Sequence, residues 1–376
     1  MNTNKSQRPL HIVHTEANGG RGGQPMRIVN EALGLAQRGH RTTILCPADV
    51  PLYTLASNAG LATMALPLGR KNPATLLKSW RWLHANAPQV DVINTHNSAD
   101  SWLMALASLA IRNPPPLVRT RHASGAPRDN AATRWLMGTA HAHVVTTGEA
   151  LRHQLVAIGV PLKHSSSVPS GVDTDRFIPG DRLAARQQLG LAPDAFWLGV
   201  VSHLRPNKGH EVLLQAMARL DIPQLHLAIV GEGTHREAIA TRVAELGLTE
   251  RVLFAGHQAA PQDWFPAFDI ALSPSHDLEG LPQGVMQALA CEVATIATDA
   301  GGTGDAIIDD VSGLLVPQRD PAALASAIER LYRDEALRQR LAVDGHRHLL
   351  AHFTRTHMLD SMERIFRDVA GRRAQR

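Results

Sequence analysis

The chain of 376 residues has only two cysteines, Cys46 and Cys291, each in an apolar stretch and far apart in sequence. That excludes a disulfide framework and leads us to expect buried free thiols in a reducing cytoplasm. Aromatic residues make up 4% of the chain. No basic-aromatic recognition module is legible, so nucleic acid is not an expected partner. No run of about 18 uninterrupted apolar residues occurs, which argues against a transmembrane helix. The opening MNTNKSQRPLHIVHTEANGG lacks the apolar core of a secretion signal, and a cytoplasmic location is expected. The histidine pairs His141/His143 and His346/His348 lack a metal-ligand frame and read as structural or surface residues.

Apolar residues make up 44% and charged residues 19%, as in an ordinary globular protein. The length favours two domains. Residues 1–175 carry 17 Lys/Arg against 9 Asp/Glu, while residues 176–376 carry 21 against 25. The first half therefore suits an anionic surface or substrate.

Short β-branched runs alternate with longer amphipathic ones, the pattern of parallel α/β sheets. Strands are expected at 10–15, 41–47, 90–96, 116–122 and 142–148. A second series is expected at 196–204, 225–233, 251–257, 269–275, 293–299 and 313–317. QPMRIVNEALGLAQRG is the clearest helix, closed by Gly39. Residues 163–180, rich in Ser, Pro and Gly, read as a linker between two doubly wound domains, 1–170 and 178–355. A last helix within 356–376 is expected to return to the first domain.

Several stretches carry candidate chemistry. NGGRGGQP (18–25) is a glycine-rich turn between strand and helix, suited to close approach of an anion. VGEGTHRE (230–237) has Arg236 where a dinucleotide fingerprint needs its third glycine, which disfavours hydride transfer. Gly231 and Gly233 still suit a base or phosphate. Arg205 and Lys208, in SHLRPNKGHE, follow a strand's C-terminal end, where such sheets bind ligands, and both suit phosphate. His96 and His122 end two strands of the first domain, and together they suggest catalysis or sugar binding. HDLEGLPQGVMQALACE (276–292) sets Glu279 in a turn and Gln287 on the next helix. ATDAGGTGDAI (297–307) is another glycine-rich turn, expected to line the same crevice as Glu279.

Taken in order, GGQPMRIVNEALGLAQRGH, DVINTH, VRTRH, VPSGVDTDRF, RPNKG, VGEGTHR, FAGH, SPSHDLEGLPQGVMQALA, TDAGGTGDAI and GLLVP resemble glycosyltransferase family 4. The likeness covers roughly residues 9–350. These are retaining enzymes of the GT-B fold, with two Rossmann-like domains facing a cleft. NTHNSADSW and EGLPQGVMQALA are especially similar to enzymes of bacterial lipopolysaccharide and surface-polysaccharide assembly.

The resemblance implies roles at matching positions. Gly22 and Gly23 would lie near donor phosphates and the acceptor, and His122 near the transferred sugar. Arg205 and Lys208 would bind the diphosphate, and Glu279 the donor's sugar hydroxyls. His96 remains an acceptor- or sugar-binding candidate. Two departures stand out. Ser202-His203-Leu204 replaces the family's Gly-Arg-Leu, and Gln287 replaces a second glutamate that holds the ribose. Glutamine still offers neutral hydroxyls an acceptor and adds a donor.

The expected activity is metal-independent transfer of a sugar from a UDP-, GDP- or ADP-linked donor to a glycan or lipid-linked acceptor, with no further cofactor. A sugar-nucleotide epimerase or glycogen-synthase-like enzyme is the alternative within the architecture. A silent nucleotide-sugar-binding subunit is the alternative outside catalysis. KNPATLLKSWRWLH (71–84) reads as a helix with Leu76, Leu77, Trp80 and Leu83 inward and Lys71, Lys78, Arg81 and Trp82 outward. That face would suit an anionic inner-membrane surface.

Overall fold

The computed structural model describes residues 8–18, 23–122, 125, 127–276 and 280–374. The chain forms two compact units, Met1–Pro169 with Thr356–Arg376, and Ser170–Arg355.

The first unit contains strands β1 (His11–Thr15), β2 (Arg41–Cys46), β3 (Ala62–Ala65), β4 (Val92–Thr95), β5 (Leu117–Arg121), β6 (His143–Thr146) and β7 (Ser165–Ser167). They pair in parallel in the order β3-β2-β1-β4-β5-β6-β7. The second contains β8 (Phe196–Val201), β9 (Leu225–Val230), β10 (Val252–Gly256), β11 (Ile270–Ser273), β12 (Thr295–Thr298) and β13 (Leu314–Val316). Their order is β10-β9-β8-β11-β12-β13, again all parallel. In each sheet the winding reverses at one place, between β1 and β4 and between β8 and β11. Strand-end loops diverge at such points, and ligands of open α/β sheets bind there.

Every strand expected from the sequence is present, trimmed at its ends. The central strands are buried on both faces, which is why they read as continuous apolar runs. β3 and β7 were not expected. β3 lies at an edge and is largely exposed, so it has no inward stripe to read. β7 consists of three serines inside the segment read as a linker, and its pairing with β6 makes it a strand.

The helix Arg355–Ala374 covers the first sheet. Met358, Leu359, Met362, Ile365, Phe366 and Val369 pack on Leu10, Ile12, Leu35, Val92, Val118 and Val145. Gly34 makes room for it, since a Cβ there would come within 2.4 Å of Leu359. Gly39, at φ 90°, ends the helix Gly23–Gln37 in the left-handed conformation expected of a cap.

The helix Pro73–Asn86 is capped by Asn72, which accepts from the Thr75 amide at 2.9 Å. Its faces correct the sequence reading. Leu77 is 45% exposed, whereas Trp82 packs against the core and its indole nitrogen is enclosed. The free cysteines Cys46 and Cys291 are both buried, as expected, and burial pushes both thiols up to about 12. No helix among the described residues is long and apolar enough to cross a membrane.

Candidate functional site

In the first unit the winding reverses between β1 and β4, and the candidate residues gather at those strand ends. Gly23 opens the helix that follows β1, and a Cβ there would meet nothing within 4 Å. Gly22 lies outside the described residues. His96 follows β4 and His122 follows β5. Their rings approach to 5.3 Å between centroids, and His96 Nδ1 lies 3.0 Å from His122 Nε2. His96 is only 3% exposed, while His122 is half-buried.

Sequence reading missed the layer beneath these two residues. His14, in the middle of the sheet, places Nδ1 3.1 Å from His96 Nε2. Glu31 Oε1 lies 4.0 Å from the same His14 nitrogen and accepts from Asn94 Nδ2 at 3.2 Å. Arg27 Nε is 3.6 Å from Glu31 Oε2. Burial dominates these groups. It lowers His14 to about 3 and holds His96 and His122 well below the usual imidazole range. It also raises Glu31 to about 7 against the pull of Arg27. The available signal was two charged residues, Arg27 and Glu31, on the buried stripe of an amphipathic helix beside Ile28 and Leu35.

Two more buried carboxylates brace the same strand ends. Glu16 accepts from the Asn18 amide at 2.9 Å, from Asn97 Nδ2 at 3.2 Å, and from Gln24. Asp100 accepts from Thr15 Oγ1, the His96 amide and the Asn97 amide at 2.7, 2.9 and 2.8 Å. Burial, with the charge of Glu16, raises Asp100 to about 7. His141 and His143 are structural, as expected. His141 contacts Thr95 and the Leu136 carbonyl, and His143 contacts Ser166.

In the second unit, the loops after β8, β9, β11 and β12 interlock at one end of the sheet. A Cβ on Gly209, whose φ is 70°, would fall 1.8 Å from the Pro274 carbonyl, and the His276 amide donates to the Asn207 carbonyl at 2.9 Å. This close approach fixes the turn carrying Arg205 and Lys208 against the segment after β11. Arg205 is exposed, and no side-chain partner holds it among the described residues. Gly231 and Gly233 face the same turn, since a Cβ on either would strike the carbonyl of Ser202 or Leu204. Backbone packing thus accounts for both glycines. Gly302 rests against Gly280 and Leu281, so the turn after β12 lies beside the segment leading from β11. Glu279 lies outside the described residues. Gln287 sits half-buried on the helix Gln283–Ala290, and its side-chain amide has no partner among the described residues.

One Asp-any-Asp spacing occurs, at Asp173 and Asp175. Asp173 accepts from the Asp175 amide at 3.2 Å and lies 3.6 Å from Arg355, so it serves a turn. No group of three or more potential metal ligands occurs among the described residues.

The model of the Glycosyltransferase Family 4 domain matches residues 21–176, and that of the group 1 glycosyl transferases matches residues 181–348. The chain belongs to the family 4 glycosyltransferases. A relative named D-inositol 3-phosphate glycosyltransferase, from Stackebrandtia nassauensis, is 37% identical over 221 residues, covering 55% of this chain and 49% of that protein. The chain thus spans about half the length of that curated relative. One of the same name from Xylanimonas cellulosilytica is 28% identical over 88% of this chain and 89% of its own. Among solved structures, Anabaena HepE in complex with UDP aligns with a TM-score of 0.84 at 21% identity, over 96% of this chain and all of that one. This glycosyltransferase therefore has the GT-B fold.

Proposed function

We propose that this family 4 glycosyltransferase is an active, retaining enzyme moving a sugar from a nucleotide-sugar donor to a glycan or lipid-linked acceptor of surface-polysaccharide or lipopolysaccharide assembly. The observation that carries the reading is the interlocked strand-end rim of the second unit, where the exposed Arg205 and the half-buried Lys208 share one tight turn. A leaving diphosphate there would meet Arg205 as a planar fork and Lys208 as a point charge. Those charges would take the place of a metal in stabilising the negative charge that develops as the glycosidic bond breaks. Glu279 would meet the sugar and Gln287 the ribose, the roles that the family resemblance implies. His122 would act at the transferred sugar.

UDP is the first nucleotide to test, because the structural neighbour HepE holds it. A second acceptor reading, a phosphorylated polyol, is favoured by the names of the curated relatives. A membrane role for Lys71, Lys78 and Arg81 rests on their exposure beside Leu77. Trp82, being packed inward, does not contribute to it.

The test is hydrolysis and transfer from UDP-, GDP- and ADP-sugars, with lipid-linked saccharide and inositol phosphate as rival acceptors. Activity is expected to persist in EDTA. Loss of activity in EDTA, reversed by Mg²⁺ or Mn²⁺, overturns the charge-based mechanism. Absence of turnover with any donor overturns the enzyme reading.

A further inference from the structure

The buried His14 and His96 and the half-buried His122 form one continuous hydrogen-bonded file at the ends of β1, β4 and β5. His14 and His96 stack at 5.4 Å between centroids, and His96 and His122 follow at 5.3 Å. Each link joins one Nδ1 to one Nε2, at 3.1 and 3.0 Å. A neutral imidazole has one N–H and one lone pair, so the file can be polarised in only two directions. Burial keeps all three rings neutral, as their lowered proton affinities indicate.

The two directions differ at the buried end. If the protons point inward, His14 carries its hydrogen on Nε2, an enclosed atom with no hydrogen-bond partner among the described residues. Phe366, edge-on with its centroid 6.3 Å from that of His14, is too far away to accept it. If the protons point outward, the hydrogen sits on His14 Nδ1, facing both His96 and the carboxylate of Glu31 at 4.0 Å. Only a lone pair is then left unpaired. Avoiding an orphaned buried donor favours the outward direction by about tenfold to a hundredfold.

We infer that His14 and His96 act as positioning residues that fix His122 as the tautomer protonated on Nδ1, so that it offers a hydrogen-bond donor to a ligand oxygen. Atoms of this file hand no proton on. Each N–H simply donates to the next ring, and His122 Nε2, already accepting from His96, is closed to a ligand. His122 is therefore a donor to a hydroxyl or phosphoryl oxygen and not a general base. That last step rests on the proposed role of His122 at the transferred sugar.

The experiment uses the full chain labelled with ¹⁵N-histidine, and long-range proton–nitrogen correlations assign the protonated nitrogen of each ring. Absence of the signal in His122→Ala identifies the residue. Protonation of His122 on Nδ1 supports the inference, and protonation on Nε2, or exchange between the two, overturns it without any variant needing to be active. Two nearly isosteric changes then separate the parts. In His96→Gln the amide can accept from His14 and donate to His122, preserving the polarity. In His96→Glu the ionised carboxylate only accepts, forcing the His122 proton onto Nε2. The Gln variant is expected to keep kcat within about threefold. The Glu variant is expected to lose roughly tenfold to a hundredfold in kcat, with little change in nucleoside diphosphate affinity. A His96→Glu protein that folds yet retains Nδ1 protonation overturns the polarity argument. A switched tautomer with equal kcat in both variants overturns the role of His122 at the sugar and leaves the polarity standing.

Discussion

At the scale of single residues, the sequence made the loop residues of the candidate site visible and left its buried layer hidden. His96, His122, Arg205 and Lys208 sit in loops next to turn residues, where a polar side chain is conspicuous. His14 and Glu31 lie inside a strand and on a helix stripe, and a sequence pattern does not say that such positions meet. Gln287 illustrates what residue type does settle. An amide without a partner among the described residues, on a half-buried helix face, can both accept from and donate to ribose hydroxyls. Gln287→Ala should lose about 1–2 kcal/mol of nucleoside diphosphate affinity. Gln287→Glu should bind at least as well, because charge-assisted bonds are stronger. Calorimetric titration with the nucleoside diphosphate alone checks this, and unchanged affinity in the alanine variant rejects the ribose contact. Gly209 gives a sharper expectation. Alanine there would need both a strained left-handed backbone and room already filled by the Pro274 carbonyl. The cost should exceed about 1–3 kcal/mol, and a melting temperature equal to wild type would show that the turn can relax.

At the scale of elements, strands buried on both faces declared themselves, and edges did not. β7 has no apolar side chain to announce it, so only the pairing partner makes Ser165–Ser167 a strand. The helix Pro73–Asn86 was found but rotated wrongly in part. Trp80 and Trp82 flank its buried positions Ser79 and Leu83, and spacing alone cannot decide which large residue turns inward. The helix Arg355–Ala374 packs the fully buried Phe366 onto the first sheet. Phe366→Ala should destabilise that unit by about 3–5 kcal/mol, the usual cost of a large core cavity. A urea midpoint indistinguishable from wild type would mean that the helix is dispensable to the sheet.

At the scale of the whole molecule, the repeated strand-helix alternation made the two-sheet plan readable, while the electrostatic interior was not. His14, His96, His122, His141, His143 and His210 all have proton affinities lowered by burial. Below the ordinary histidine value of about 6.5, the unfolded chain takes up protons that these rings refuse, so stability falls as pH falls. Glu31 and Asp100 oppose this. Raised to about 7, they are protonated in the folded state where the unfolded chain is still ionised. Six groups outweigh two, at about 1.4 kcal/mol per pH unit for each proton of difference. Melting temperatures should therefore drop between about pH 6.5 and pH 4.5. A rise on acidification would show that the carboxyls dominate.

The second unit is inserted within the first, because Thr356–Arg376 belongs with Met1–Pro169. On the ribosome this sets an order of completion. The face built from Leu10, Ile12, Val92, Val118 and Val145 emerges early, yet the helix that covers it is made only after Ser170–Arg355. At roughly 5–20 residues per second, that intervening synthesis takes on the order of ten seconds or more. For that interval the nascent chain carries an unfinished apolar surface, and it is then that a holding chaperone has the most to protect.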